Sequence, residues 1–217
     1  MISFYDEIAL EQAVLTKEAL GGEVTVLTLG ASDGTKEIRE CMAKGADKAI
    51  VMTDADWASR DARATAKAMA SKLADLGAEL VFMGRVATDR DNAAVGPMTA
   101  VYLDWACVTD VIELTIEAGK GTAKRETEQG IETVEFSLPA VVTCNKGLNE
   151  PRYAGLKGIM AAKKKPLEEV AVELVANQAQ VEAVELPAPR AAGRIVGEGA
   201  DAVPALIAAL QDEAKVL

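Results

Sequence analysis

Apolar residues recur along DEIALEQAVLTKEALGG at Ile8, Ala9, Ala13, Leu15 and Leu20, a helical spacing, and Gly21-Gly22 closes the run. EVTVLTLG then changes the period. It is a short β-branched run ending in Gly30 and reads as a buried parallel strand. The alternation repeats. SDGTKEIRECMAKGAD predicts a helix capped by Ser32 or Asp33 and stopped at Gly45, followed by the strand KAIVMTD. DARATAKAMASKLADLGA predicts the next helix, AELVFMG a strand ending at Gly84, and NAAVGPMTAVYLDW a further helix. Strand-then-helix units in this order imply a parallel α/β sheet covered on both faces, because parallel strands need crossover connections.

After Trp105 the period becomes two. CVTDVIELTIEAGKGTAKRETEQGIETVEFSLPAVVTCN holds alternating runs with turns near Gly119-Lys120-Gly121 and Gln129-Gly130. That predicts an antiparallel insertion, with Ala140 to Cys144 returning to the main sheet. LNEPRYAGLKGIMAAKKKP follows and combines apolar residues, two glycines and three successive lysines, Lys163 to Lys165. The remainder reads as an extended arm of little periodicity, closed by a helix from about Ala202 to Ala214. Such an arm is expected to lie on another surface, such as a second subunit. A sheet of this kind ordinarily opens with a strand, yet this sequence starts almost directly in a helix. The expectation is a missing N-terminal strand or a partner that covers the gap, since an uncovered central strand exposes unpaired amides.

Composition narrows the function classes. Half of the 217 residues are apolar, so a core can form, and the net charge of −11 argues against a general nucleic-acid binder. Histidine is absent, which removes the commonest general base and His-dependent triads. Cys41, Cys107 and Cys144 are widely spaced and odd in number, and read as free thiols in a reducing compartment. No apolar run approaches the roughly 20 residues that span a bilayer, and no signal peptide is visible, so a cytoplasmic location without membrane insertion is expected.

Candidate chemistry sits in loops. GRVATDRDNAAVG, from Gly84 to Gly96, follows a strand and opens a helix, where ligands of open α/β sheets collect and helix amides attract phosphate. It is neither GxGxxG nor a Walker loop, and a solvated loop with Asp89, Arg90 and Asp91 as surface charge fits the spacing equally. Leu27 to Gly30 reads as a second wall of that crevice or simply a strand end. Tyr5 reads as a ring-stacking residue or a hydrophobic staple. Arg125 and Glu126 read from their hairpin as a solvated ladder pair, and the lysine run as solvated.

Several stretches resemble the β subunit of electron transfer flavoproteins. SFYDEIALEQAVLTKE is similar to the family's N-P-F-D-E-I-A-L-E-E-A segment, and GRVATDRDNAAVGPM to its nucleotide loop G-K-Q-A-I-D-D-D-x-N-Q-T-G-x-M. KRETEQGIETVEFSLPAVVT followed by LNEPRYAGLKGIMAAKKK matches its most distinctive block, and PAPRAAGRIV its tail. The likeness runs through nearly the whole chain.

The resemblance implies an adenine nucleotide α-hydrolase-like α/β domain over residues 1–165, lacking its opening strand and carrying a recognition loop at 148–165. Residues 166–217 are then an arm and helix that pack on an α subunit. It implies an electron carrier rather than an enzyme: a heterodimer with FAD held mainly by α, and AMP or a second FAD in β. Electrons would come from flavin dehydrogenases of the acyl-CoA type, as in fatty acid oxidation, and leave through a quinone oxidoreductase to a respiratory acceptor. The alternatives are a bifurcating-type subunit with its own FAD, or a stand-alone adenine-nucleotide-binding module. Carried over residue by residue, the cofactor contacts are Ser3, Phe4, Tyr5, Asp6, Leu29, Gly84, Arg85, Val86, Ala87, Thr88, Asp89, Arg90, Asp91, Asn92, Ala93, Ala94 and Val95. Ala93-Ala94-Val95 stands where the family has Asn-Gln-Thr. The partner contacts are Arg125 and Glu126 on the flavin-domain side, and the loop Tyr153, Ala154, Gly155, Leu156, Lys157, Gly158, Ile159 and Met160. Leu156 falls on the leucine that anchors in a dehydrogenase pocket, carried on a glycine-hinged loop.

Overall fold

The computed structural model describes residues 2–31, 35–190 and 192–217, in two compact units, Met1–Gln180 and Val181–Leu217. The first begins with α1 (Phe4–Leu20), β1 (Thr25–Gly30), α2 (Thr35–Lys44), β2 (Lys48–Thr53), α3 (Ala62–Leu76), β3 (Leu80–Gly84) and α4 (Val95–Leu103). It continues with β4 (Ala106–Glu117), β5 (Lys120–Thr127), β6 (Gly130–Ser137), β7 (Ala140–Cys144), α5 (Leu156–Ala162) and β8 (Leu167–Ala171). Parallel strands flanked by helices and an antiparallel insertion are both present, as the pattern predicts. The expected α2 cap at Ser32 or Asp33 lies outside the described residues.

Local causes are visible in each element. α1 turns Ile8, Ala9, Leu10 and Val14 inward and ends where the Gly21 N–H bonds to the Lys17 carbonyl at 2.8 Å. α3 starts at Asp61, whose carboxylate accepts the Ala64 N–H at 2.7 Å, a cap worth about 1 kcal/mol. β2 is apolar and buried from Ala49 to Met52 and β7 is buried throughout, because each is an inner strand with parallel neighbours on both sides.

The strands form two sheets rather than one, in the orders β1-β2-β8 and β3-β7-β4-β5-β6. Beyond Pro166 the chain does not become an arm at once. Leu167 to Ala171 pairs in parallel with β2, from Ala49 opposite Leu167 to Thr53 opposite Ala171. Five residues are too few to show a period, and Glu168 and Glu169 mask the strand character.

β1 is one edge of its sheet and β3 one edge of the other, and each has a side that no described strand pairs. In a parallel ladder the N–H and C=O of one residue point the same way. The Asp54 N–H bonds to the Gly30 carbonyl at 3.1 Å, so even-numbered β1 residues face β2, and Thr25, Leu27 and Leu29 face outward. The Arg85 N–H bonds to the Cys144 carbonyl at 3.1 Å, so Leu80, Phe82 and Gly84 face away from β7. α1 packs on both sheets: Leu10 and Val14 cluster with Val24 and Val26, and Ile8 and Ala9 with Cys144 and Phe82. One helix therefore covers strands from two sheets that do not pair with each other among the described residues.

Among its described residues the second unit has no helix or strand before Ala200, with Val181, Val184, Leu186 and Ile195 exposed. It ends in a 3-10 turn (Ala200–Ala202), α6 (Val203–Ala208) and a π turn (Ala209–Glu213), and Arg194 pairs with Glu213 at 2.6 Å.

Candidate functional site

The carboxyl ends of parallel strands are where α/β folds present ligand contacts. There the start of α1 meets the end of β3. Ser3 Oγ donates to the Val86 carbonyl at 3.4 Å, and Asp6 Oδ1 accepts the Gly84 N–H at 2.8 Å. A Cβ on Gly84 would lie 2.7 Å from Asp6 Oδ1, so the contact requires glycine. Phe4 and Tyr5 meet edge to face, with centroids 5.4 Å apart at 72°. The structure thus brings Ser3 to Asp6 together with Gly84 to Val86. Leu29 stands near the end of β1, in the other sheet.

The loop from Arg85 to Ala94 buries Val86 and exposes Ala87 to Ala93. The Arg90 and Asp91 amides turn back to the Ala87 carbonyl at 3.1 and 2.8 Å. Asp91 and Ala93 adopt left-handed φ of 49° and 48°, a costly choice for non-glycine residues that clusters at functional loops. Arg90 is not a loose surface charge. Its guanidinium donates to the Arg60 carbonyl at 2.7 Å and to the Ala58 carbonyl, tying the loop to the 3-10 turn Trp57–Ser59. That turn is braced by Arg60, which grips Asp54 at 2.7 and 3.2 Å and holds its carboxyl below the usual carboxylate range. The first intrahelical bond of α4 runs from the Met98 N–H to the Ala94 carbonyl at 3.0 Å. The amides just before it, of Val95 and Gly96, have no acceptor in that helix and suit an anion. Ala93, Ala94 and Val95 add no side-chain donor, which leaves the backbone amides with Arg85, Thr88 and Asn92 in the loop.

A second polar group lies at the end of β4 and β7. The β4–β7 register shifts between Val108 and Val111, and Asp110 there has φ 59° with its N–H bonded to Thr143 Oγ1 at 3.0 Å. Arg85 pairs with Asp110 at 2.5 Å. Arg125 donates to the Thr109 carbonyl at 3.0 Å and to its hydroxyl at 2.9 Å, and reaches Glu132 at 3.3 Å. Glu126 accepts from Asn145 at 3.3 Å. Two arginines, one just after β3 and one on β5, thus grip consecutive residues of one bulge. Sequence reading named Arg85, Arg125 and Glu126 but missed Thr109, Asp110 and Asn145. The available signal was Asp110 itself, a strand-averse carboxylate inside a β run.

The third place is Tyr153 to Met160. Tyr153 is 96%, Leu156 83% and Met160 60% exposed, with Ile159 beside them. Gly155 has an ordinary φ of −77°, and Gly158 is a contact residue inside α5, packed on the Ala43 carbonyl of α2. Lys165 is not solvated either. Its Nζ donates to the Met42 and Ala46 carbonyls at 2.8 and 2.6 Å, at the C-terminal end of α2 where a cation is favoured. Arg152 and its carboxylate partners on α1 were also missed. The signal was Glu11, a charge three residues after Ile8 on the buried face of a helix.

No cluster of metal-ligating side chains occurs among the described residues, and no described helix is long and apolar enough to cross a membrane. Burial pushes the Cys41 thiol up to about 11 and the Cys144 thiol higher still, so neither is poised as a nucleophile.

Residues 1–175 match the family model described as electron transfer flavoprotein domain. The chain is similar to the electron transfer flavoprotein subunit beta of Bacillus subtilis (strain 168). It is 36% identical to it over 226 residues, covering 100% of this chain and 88% of that protein. It is 40% identical over 181 residues to the protein of the same name from Thermoanaerobacterium thermosaccharolyticum, covering 83% of this chain and 68% of the relative. The caffeyl-CoA reductase-Etf complex subunit CarD of Acetobacterium woodii is 39% identical over 164 residues, covering 75% of this chain and 63% of that protein.

Proposed function

Because the chain belongs to the electron transfer flavoprotein β-subunit family, we propose that it is one half of a flavin-carrying heterodimer that shuttles electrons and performs no substrate chemistry of its own. The partner is an α subunit, which holds most of the FAD. The donors are flavin dehydrogenases of the acyl-CoA type, and electrons pass through a quinone oxidoreductase to a respiratory acceptor, in the cytoplasmic compartment. The observation that carries this reading is the exposed trio Tyr153, Leu156 and Met160 beside a main chain fixed on two helices. Apolar side chains left in water in this way mark a contact surface. One buried leucine supplies a modest hot spot, which suits a carrier that must also leave.

Two further surfaces support the heterodimer. The arm after Gln180 exposes valine, leucine and isoleucine ahead of Ala200, as a segment packed on an α subunit does. Arg125 and Glu126, braced by Thr109 and Asn145, face the flavin-bearing subunit. The nucleotide of the β subunit, AMP or a second FAD, would be held by Ser3 to Asp6 and the loop Gly84 to Val95, its phosphate met by the amides at the start of α4. The second-FAD version draws support from the Acetobacterium relative, a subunit of a reductase–Etf complex.

Co-expression with an α subunit, followed by a visible spectrum and flavin count, tests the proposal. One flavin per pair with bound AMP is the shuttle, and two flavins per pair the bifurcating form. A colourless pair, or a chain that binds adenine nucleotide tightly by itself, refutes the shared-flavin reading.

A further inference from the structure

The loop ahead of the exposed trio is clamped to α1 by one side chain. Arg152 Nε lies 3.1 and 2.9 Å from the two Glu11 carboxylate oxygens, and its Nη2 lies 2.9 Å from one of them. Its Nη1 and Nη2 reach Glu18 at 2.7 and 3.0 Å. Its backbone N–H also donates to Glu11 at 3.0 Å. The Glu11 side chain is only 7% exposed, so this is not a loose surface pair, and removal of Arg152 strands a buried carboxylate. Asn149 adds bonds to the Ile8 carbonyl at 3.1 Å and to Gln12 at 3.2 Å.

On the far side, Arg39 of α2 donates to the Ala162 and Lys165 carbonyls at 2.6 and 2.7 Å. Between the two fixings lie Tyr153 to Ala161, with the exposed apolar side chains. Arg152 is drawn in against α1, while its neighbour Tyr153 is almost fully exposed.

We propose that Arg152 is a positioning residue for partner docking: by gripping Glu11 and Glu18 it pre-orders the Tyr153–Met160 surface so that a dehydrogenase meets it without first having to order it. This rests on the docking role proposed above. Glu11 is the buried half of the clamp and Glu18 its exposed half. The fork geometry matters as well as the charge, because a lysine cannot make the parallel pair of bonds to one carboxylate while reaching a second. Freeing a few residues of a docking segment restores backbone freedom that binding must then remove, and loss of order equivalent to a single residue's worth weakens docking by about tenfold.

The test uses the flavin-loaded two-subunit complex, with its concentration varied in dehydrogenase-linked reduction. Arg152→Gln is expected to raise the KM for the complex about tenfold, with kcat changed less than twofold and flavin content unaltered. Arg152→Lys is expected to recover only part of the loss. Because Arg152→Gln leaves Glu11 buried and unpaired, the double variant Glu11→Gln/Arg152→Gln is measured beside it. That variant has no orphaned charge, so its melting temperature recovers while its KM stays raised, and it replaces the single variant should that one not assemble. Amide hydrogen exchange at Ile159, whose N–H bonds to the Gly155 carbonyl at 3.0 Å, is expected to quicken in both, with β2 unchanged. A KM that returns to the wild-type value in the double variant, or unchanged exchange at Ile159, overturns the positioning role. Leu156→Ala separates the two readings. If it leaves KM unchanged, the docking surface itself is wrong. If it raises KM and neither Arg152 variant does, the surface stands and the clamp is merely structural.

Discussion

Gly158→Ala sets two physical effects of opposite sign against each other. Gly158 lies inside α5, and on helix propensity alone alanine there should stabilise by about 1 kcal/mol. The tertiary structure says otherwise. A Cβ at position 158 would lie 2.3 Å from the Ala43 carbonyl oxygen and 3.3 Å from its carbonyl carbon, where 3.4–4 Å is ordinary contact. Relief requires α5 to move by roughly 1 Å from α2, and the obstacle is backbone rather than a flexible side-chain end. The movement is resisted by the Arg39 bonds to the Ala162 and Lys165 carbonyls and by the Lys165 bonds to the Met42 and Ala46 carbonyls. Overpacking of this kind costs about 1–3 kcal/mol, and the backbone contact puts it at the upper end. After the propensity gain, a net loss of about 1–2 kcal/mol remains, a fall in melting temperature of about 3–6 °C for a chain of this size. Urea midpoints and thermal melts of the assembled complex measure it. Gly155→Ala is the control: nothing lies within 4 Å of its would-be Cβ, φ is −77°, and a change within about 0.5 kcal/mol is expected. A Gly158→Ala variant as stable as wild type, or more so, would show that α5 does not rest on α2 as described.

Three further outcomes are expected. Cys107 is exposed while Cys41 and Cys144 are buried with raised thiol pKa, so a chromogenic disulfide reagent at pH 8 should titrate one thiol quickly and all three only after unfolding; two or three fast thiols would contradict the burial. Backbone amides that point away from any neighbouring strand, those of Leu27, Leu29 and Phe82, should exchange faster in the isolated chain than Val51 or Val141; equal protection would mean that β1 and β3 are paired. The Arg60 guanidinium lowers the folded pKa of Asp54 below its ordinary 3.8. The stabilisation is therefore fully present above 3.8 and is lost as pH falls through the folded value, and Asp54→Asn should flatten the acid limb of a stability-against-pH curve. An unaltered acid limb would remove Asp54 from the acid-sensitive groups.

Relative positions in space explain which parts of the site were legible in the chain. Arg152 meets Glu11 and Glu18 across more than 130 residues, and Arg39 meets Ala162 across more than 120, separations that no local pattern reports. Glu11 could be seen as an oddity on an apolar face, but not its partner. The glycines of the docking segment read naturally as hinges, since glycine frees the backbone, yet Gly158 is there for close approach between helices, a use that only the neighbouring helix reveals. Lys165 read as one of three solvated charges, because nothing in a lysine run says which member reaches back to cap a helix end.

Hydrophobic period alone determined the order of most strands and helices and the change to an antiparallel insertion after Trp105, because each depends on neighbours a few residues apart. The resemblance of several stretches to a known family pointed to the electron transfer flavoprotein β subunits. Only the tertiary structure decided that the strands divide into two sheets, that Leu167 to Ala171 belongs to one of them, and that the exposed apolar segment after Arg152 is tied to α1 and α2. Those outcomes are set by contacts between residues far apart in the chain, where hydrogen-bond direction and packing distance, not local preference, choose the partner.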